Sequence, residues 1–166
     1  AISMGSANQL PLLNKACAQT GQITGIVLAS GIVLLLGMAD DRWGLDAITK
    51  LAGQAIAAGV LLLNGVQLLW LPINGITTLP SSLGQLLTIL VILVSINAVN
   101  FVDGLDGLAA GIVAIAALAF FSYSYLLSVV YNFDRAGAPL LITAVVVGAC
   151  IGFLPHNFYP ARIFMG

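Results

Sequence analysis

Charge is what this sequence has least of. Its 166 residues include 5 Lys or Arg, 6 Asp or Glu and 1 His, against 60% hydrophobic residues. A soluble domain carries about 25% charged residues, and a globule of this length would need far more ionised side chains than these to cover its surface. The scarcity excludes a soluble enzyme and a disordered chain, and the lack of a basic face excludes a nucleic-acid binder. The ten-residue alternating pattern of a membrane β-barrel is missing as well. Residues 1–20 lack the charged start and apolar core of a signal peptide, and there is no internal repeat or low-complexity tract. The two cysteines, Cys17 and Cys150, fall near opposite ends of the membrane segments derived below, so no disulfide is expected. What remains is an all-α polytopic membrane protein, since a backbone facing lipid must satisfy its own hydrogen bonds.

The gaps between charges locate the membrane. No Asp, Glu, Lys, Arg or His occurs in residues 16–39, 51–102, 107–133 or 136–155. A spanning helix needs about 20 mostly apolar residues, so three of these runs fit one helix each and the second fits two. The break in that long run lies at Trp70–Pro80, where two prolines bracket Asn74-Gly75, a hairpin signal, beside Trp70 as an interface anchor. About five transmembrane helices follow, at about 22–39, 48–69, 81–98, 107–129 and 139–154, with a short outward-facing hairpin near 70–80. Five crossings put Asp40, Asp41, Asp46, Asp103, Asp106, Arg42, His156 and Arg162 on one side, with Lys50 at its margin. Lys15, Asp134 and Arg135 fall on the other. The excess of Lys and Arg weakly favours the first side as cytoplasmic. The stronger asymmetry is in carboxylates, and carboxylates gathered at one membrane face are what a divalent cation needs.

Three stretches carry chemistry. Asp40-Asp41 closes the first apolar run, and adjacent carboxylates repel unless a cation holds them. Oxygen ligands of this kind suit Mg²⁺, although a solvated loop would also carry them. In the second stretch Asn97, Asn100, Asp103 and Asp106 recur every three residues, near one face if the segment is helical. The steps Asp103-Gly104 and Asp106-Gly107 argue that one helix breaks there and another begins. A new helix start offers free N–H groups to a phosphate or a carbonyl, and Gly104 and Gly107 let backbone approach a ligand. A capped turn with Asp106 as N-cap would account for one acid, not for four polar groups beside a membrane. The third stretch, residues 155–166, mixes His156, Asn157, aromatics, two prolines and Arg162. A lone His there more often serves structure than acts as a base.

Read in order, Asp40-Asp41, Thr-Lys-Leu-Ala-Gly-Gln (49–54), Asn-Ala-Val-Asn-Phe-Val-Asp-Gly-Leu-Asp-Gly-Leu-Ala (97–109) and Asn-Phe-Tyr-Pro-Ala-Arg-Ile-Phe-Met-Gly (157–166) resemble a known family. It is the polyprenyl-phosphate N-acetylhexosamine-1-phosphate transferases (glycosyltransferase family 4), most similarly the actinobacterial type that handles N-acetylglucosamine. The resemblance covers residues from about 34 to 166. It implies Mg²⁺-dependent transfer of N-acetylhexosamine-1-phosphate from a UDP-sugar to polyprenyl phosphate with release of UMP, an early membrane step of a cell-envelope glycan pathway. It implies a multi-pass protein of the bacterial plasma membrane with a cytoplasmic active site. By the same resemblance Asp40, Asp41 and Asn97 are catalytic and Lys50 is the counter-charge of the lipid phosphate. Asn100 and Asp103 lie at the metal, for which Mn²⁺ can stand in. Gly104, Leu105, Asp106, Asn157 and Phe164 belong to the nucleotide site. The partners implied are polyprenyl phosphate, a UDP-N-acetylhexosamine and the bilayer, with a homodimer left open and no nucleic acid.

Family members have ten or eleven spanning helices and a His-rich cytoplasmic loop, so residues 1–166 are expected to be one transmembrane segment of a larger transferase domain, inactive when expressed alone. The related translocase that uses UDP-N-acetylmuramoyl-pentapeptide and a non-enzymatic transporter are the competing readings. Intramembrane prenyltransferases would show two Asp-x-x-x-Asp repeats, and CDP-alcohol phosphotransferases would show Ala-Arg soon after Asp-Gly; both patterns are missing.

Overall fold

The computed structural model describes residues 20–71, 77–133 and 136–163. Among these, five α-helices follow one another: α1 (Thr20–Trp43), α2 (Ala47–Leu63), α3 (Ser81–Val102), α4 (Leu108–Tyr125) and α5 (Gly137–Asn157). Between α2 and α3, β1 (Trp70–Leu71) pairs antiparallel with β2 (Thr77–Thr78), Trp70 opposite Thr78. α4 continues into one π-helical turn, Leu126–Val130. Four helices are long and apolar enough to cross a membrane, α4 counted with its π turn, and α2 is a shorter apolar helix of 17 residues. The chain is an all-α polytopic membrane protein. Its large apolar side chains face outward, Leu63 at 89% and Phe101 at 90% exposure, while the buried apolar residues are almost all alanine. That inversion is what lipid produces: water does not drive apolar bulk inward, and small residues let helices approach.

The described residues form two compact units, one of residues 21–101 and one of residues 102–163 together with Thr20. In the first, α1 and α2 pack where there is no room for a side chain. A Cβ on Gly53 would meet Leu36 Cδ1 at 2.7 Å, and one on Gly25 would overlap Asn64, so the two helices run antiparallel in a register set by two glycines. α2 starts at Asp46, whose Oδ2 accepts the Thr49 N–H at 3.3 Å and whose Oδ1 accepts the Thr49 hydroxyl. These bonds hold the Asp46 carboxyl below the usual carboxylate range. Its contribution is therefore complete above the unfolded value, near ~3.9, and is lost as pH falls through the lower folded value. Asp46→Ala is expected to speed amide exchange over residues 46–50 at neutral pH, whereas the unsubstituted protein should loosen there only in acid below that range.

α2 ends six residues sooner than the apolar run suggests. Instead of reaching residue 69 it stops at Leu63: the Val66 N–H donates to the Leu61 carbonyl and the Gly65 N–H to the Leu62 carbonyl, both at 3.0 Å. With Gly65 at φ +80° this is a Schellman stop, signalled in the sequence by Asn64-Gly65. The other ends shift outward. α1 runs four residues beyond 39, so Asp40 and Asp41 lie on its last turn. α3 continues to Val102, because nothing in Asn97–Val102 breaks a helix before Asp103-Gly104. α5 passes through Pro155 to Asn157. The hairpin ladder at Trp70 and Thr78 is present, while its tip with Asn74-Gly75 lies outside the described residues, as do Lys15, Cys17, Asp134 and Arg135.

In the second unit α4 and α5 pack closely against each other. The buried positions on α4 are Ala109, Ala110, Ala117 and Ser124. Ala110, Ala117 and Ser124 are seven residues apart, the spacing of a left-handed seam. Gly137, Ala138, Cys150 and Asn157 are buried on α5, and Cys150 is a free thiol.

Candidate functional site

The first unit carries its ionised groups at one end. Asp40 is gripped from two sides: its Oδ1 accepts the Leu45 N–H at 3.0 Å, and its Oδ2 lies 2.7 Å from Lys50 Nζ. Both partners follow from local folding, since Leu45 ends the turn out of α1 and Lys50 sits in the first turn of α2. Asp41 is exposed, with no hydrogen bond or ion pair among the described residues. The Arg42 guanidinium rests over the Trp43 ring, 5.9 Å from its centroid. Four residues after Lys50, on the same face of α2, Gln54 is buried, and its Oε1 accepts Asn97 Nδ2 at 2.7 Å. The other Asn97 amide hydrogen goes to the Leu93 carbonyl at 2.8 Å. Asn100, one turn further along α3, is exposed.

The second unit has its own polar end, built around a clasp. Residues 103–107 leave the helix, and α4 begins after Gly107, which stands in the left-handed region at φ +71°. No side chain caps α4. The Asp106 carboxylate reaches across instead, its Oδ2 accepting the Ala161 N–H at 3.0 Å. The Gly107 N–H donates to Asn157 Oδ1 at 3.0 Å, and Asn157 Nδ2 donates to the Ile163 carbonyl at 2.9 Å. Asn157 is 2% exposed. The His156 carbonyl accepts the N–H groups of Arg162 and Ile163 at 2.9 and 3.2 Å, closing the 157–163 loop on the end of α5. A Cβ on Gly107 would sit 3.4 Å from the Phe158 ring.

Asp103 is treated differently from Asp106. It is partly buried and has no hydrogen bond or ion pair among the described residues, and burial raises its carboxyl above the usual carboxylate range. Asn100 and Asp103 offer the oxygen donors a hard cation takes. Among the described residues no three of His, Cys, Asp and Glu gather closely enough to hold a metal ion.

The structure thus brings Asp40 to Lys50 and, in the other unit, Asp106 and Asn157 to the 157–163 loop. Gly104 and Leu105 are exposed in the 103–107 turn, and Phe164 lies outside the described residues. The residue that sequence reasoning passed over is Gln54. Its signal was available: an amide within an uncharged run of 52 residues, one helical turn from Lys50.

The profile of glycosyl transferase family 4 matches residues 23–166. The decaprenyl-phosphate N-acetylglucosaminephosphotransferase of Mycolicibacterium smegmatis is 47% identical over 165 residues, covering 96% of this chain and 41% of that protein. The Mycobacterium tuberculosis protein of the same name is 44% identical with the same coverage. A phospho-N-acetylmuramoyl-pentapeptide-transferase of Desulforudis audaxviator is 58% identical over only 26 residues, 16% of this chain and 8% of that protein. The chain spans about two fifths of the length of its mycobacterial relatives. No solved structure gives a significant match.

Proposed function

The chain belongs to glycosyl transferase family 4, and from that premise we propose that the protein containing it transfers N-acetylglucosamine-1-phosphate from a UDP-sugar to polyprenyl phosphate, releasing UMP. The observation that carries this reading is the 44–47% identity across 96% of the chain with relatives bearing that name. The nucleophile is a phosphate monoester whose second pKa is ~6, so it is largely ionised at neutral pH and needs little base. The difficulty is bringing two anions together, which calls for positioned cations and donors.

The side chains support that division of labour. Lys50 holds a positive charge at the polar end of its unit, and Asp40 fixes where that charge lies. Lys50 would receive the lipid phosphate, and Asp41, next in sequence to Asp40 and without a partner among the described residues, would take a residual proton. Asn100, on the last turn of α3, and Asp103, the first residue beyond it, would hold Mg²⁺, a charge that would offset the burial of the Asp103 carboxylate. When bound, the ion would neutralise the diphosphate oxygens. Gly104 and Leu105 present backbone to the nucleotide. Asp106 and Asn157 contribute by holding that turn against the 157–163 loop, Asp106 through Oδ2 and Asn157 through both Oδ1 and Nδ2, which leaves Asp106 Oδ1 for the nucleotide.

The test is UMP release by the intact enzyme in detergent with polyprenyl phosphate, Mg²⁺ and UDP-N-acetylglucosamine. Turnover with UDP-N-acetylmuramoyl-pentapeptide in its place would move the protein to the translocase branch. No UMP from either donor would end the transferase reading. The active site is proposed to face the cytoplasm from the bacterial plasma membrane. Single cysteines at positions 41 and 74 should then label from opposite sides in cells, with the stretch after Gly65 completing the crossing that α2 begins. Labelling of both from one side would remove a crossing from the five-span scheme.

A further inference from the structure

Resting on the transferase reading, we infer that Gln54 is a positioning residue that, together with the Leu93 carbonyl, clamps the Asn97 amide in place and so leaves Asn97 Oδ1 as its one atom for substrate or cation. The argument begins with hydrogen-bond capacity. A side-chain amide has two donor hydrogens on nitrogen and an acceptor oxygen. Asn97 Nδ2 lies 2.8 Å from the Leu93 carbonyl, which can only accept. Turning the amide over would set oxygen against oxygen, so the nitrogen stays on that side. Its second hydrogen meets Gln54 at 2.7 Å, and Gln54 must therefore present its own oxygen, as it does. With both hydrogens committed, Asn97 Oδ1 remains as a free acceptor.

Gln54 is held firmly enough to act as a stop. It is 6% exposed and lies between Gly53, which seats α2 on Leu36 of α1, and the buried pair Ala57 and Ala58. The helix that carries it also carries Lys50, one turn nearer the polar end, and Lys50 is tied to Asp40 of α1 at 2.7 Å. A single rigid face of α2 therefore references α1 through Lys50 and α3 through Gln54. A buried amide in an apolar helix is costly unless its bond is made. Here the bond goes to a residue of the candidate site rather than to the helix's own backbone.

The experiment compares Gln54→Met, which keeps length and loses the acceptor oxygen, with Gln54→Glu, which keeps that oxygen. Each is made in the intact enzyme and again in an Asn97→Ala background, with kcat and KM for UDP-N-acetylglucosamine read by UMP release. Gln54→Met is expected to lower kcat about tenfold, Gln54→Glu to recover most of that loss, and neither to lower kcat further once Asn97 is alanine. An equal drop from Gln54→Met in both backgrounds would mean that Gln54 only supports packing, and no drop at all would overturn the inference. Where Gln54→Met does not accumulate in the membrane, Gln54→Glu decides alone: a tenfold loss despite the retained oxygen would also overturn it. Unsubstituted enzyme that releases no UMP would instead count against the transferase reading itself, which keeps the two failures apart.

Discussion

Asp103→Asn in the intact enzyme is expected to lower turnover by about two to three orders of magnitude while the protein still inserts and accumulates. The amide keeps the shape and one oxygen but removes the negative charge from the first position beyond α3. In the structure that charge has no hydrogen bond or ion pair among the described residues, and burial disfavours it. Removing it therefore costs the fold nothing of consequence and should even relieve it slightly. Loss of activity without loss of protein is the signature of a group kept for a ligand. Asn100→Ala should act in the same direction. Both are to be measured as initial rates of UMP release across a Mg²⁺ titration, beside thermal unfolding in detergent. Rates near those of the unsubstituted enzyme at saturating Mg²⁺ would make residues 97–106 a structural turn.

The opposite signature is expected at Asn157. Asn157→Leu leaves the Gly107 N–H and the Ile163 carbonyl without partners where Asn157 itself is 2% exposed. A buried unsatisfied group costs about 1–3 kcal/mol; Ile163 is itself exposed, so only the Gly107 N–H is counted, and a loss of about 1–3 kcal/mol in stability should accompany the loss of activity. Asn157→Asp separates the two bonds, since it can still accept from Gly107 but cannot donate to Ile163, and it should fall between. Denaturation in detergent measures the first effect, and UMP binding to the folded protein measures whether the 103–107 turn has lost its shape. A stability unchanged by Asn157→Leu would show that the clasp does not hold the loop.

Much of this was legible in the sequence because lipid leaves few choices. Long uncharged runs had to become helices, and the Asp-Gly steps at 103–107 had to interrupt them, since no helix runs comfortably through two such pairs. The end of α2 was legible too, in Asn64-Gly65, but the apolar residues beyond it disguised the stop: hydropathy reports what tolerates lipid, not where hydrogen bonding turns the chain. The partner of Asp106 was not legible for a different reason. Its carboxylate is taken by Ala161, 55 residues away, and no local pattern contains a partner at that distance.

The sequence by itself determined that this is a helical membrane protein with its acids at helix ends, because hydrocarbon excludes charge and demands backbone bonds satisfied within each segment. Only the tertiary structure decided which polar groups are spoken for. Asp40, Asp106, Asn157 and Asn97 are committed to Lys50, Ala161, Gly107 with Ile163, and Gln54 with Leu93, whereas Asp41 and Asp103 have no such bond among the described residues. A carboxylate or an amide looks the same in a sequence whether its partner is backbone, another side chain or a ligand. Hydrogen bonds saturate, so the distinction appears once folding has brought the partners within 3 Å and left some oxygens without one.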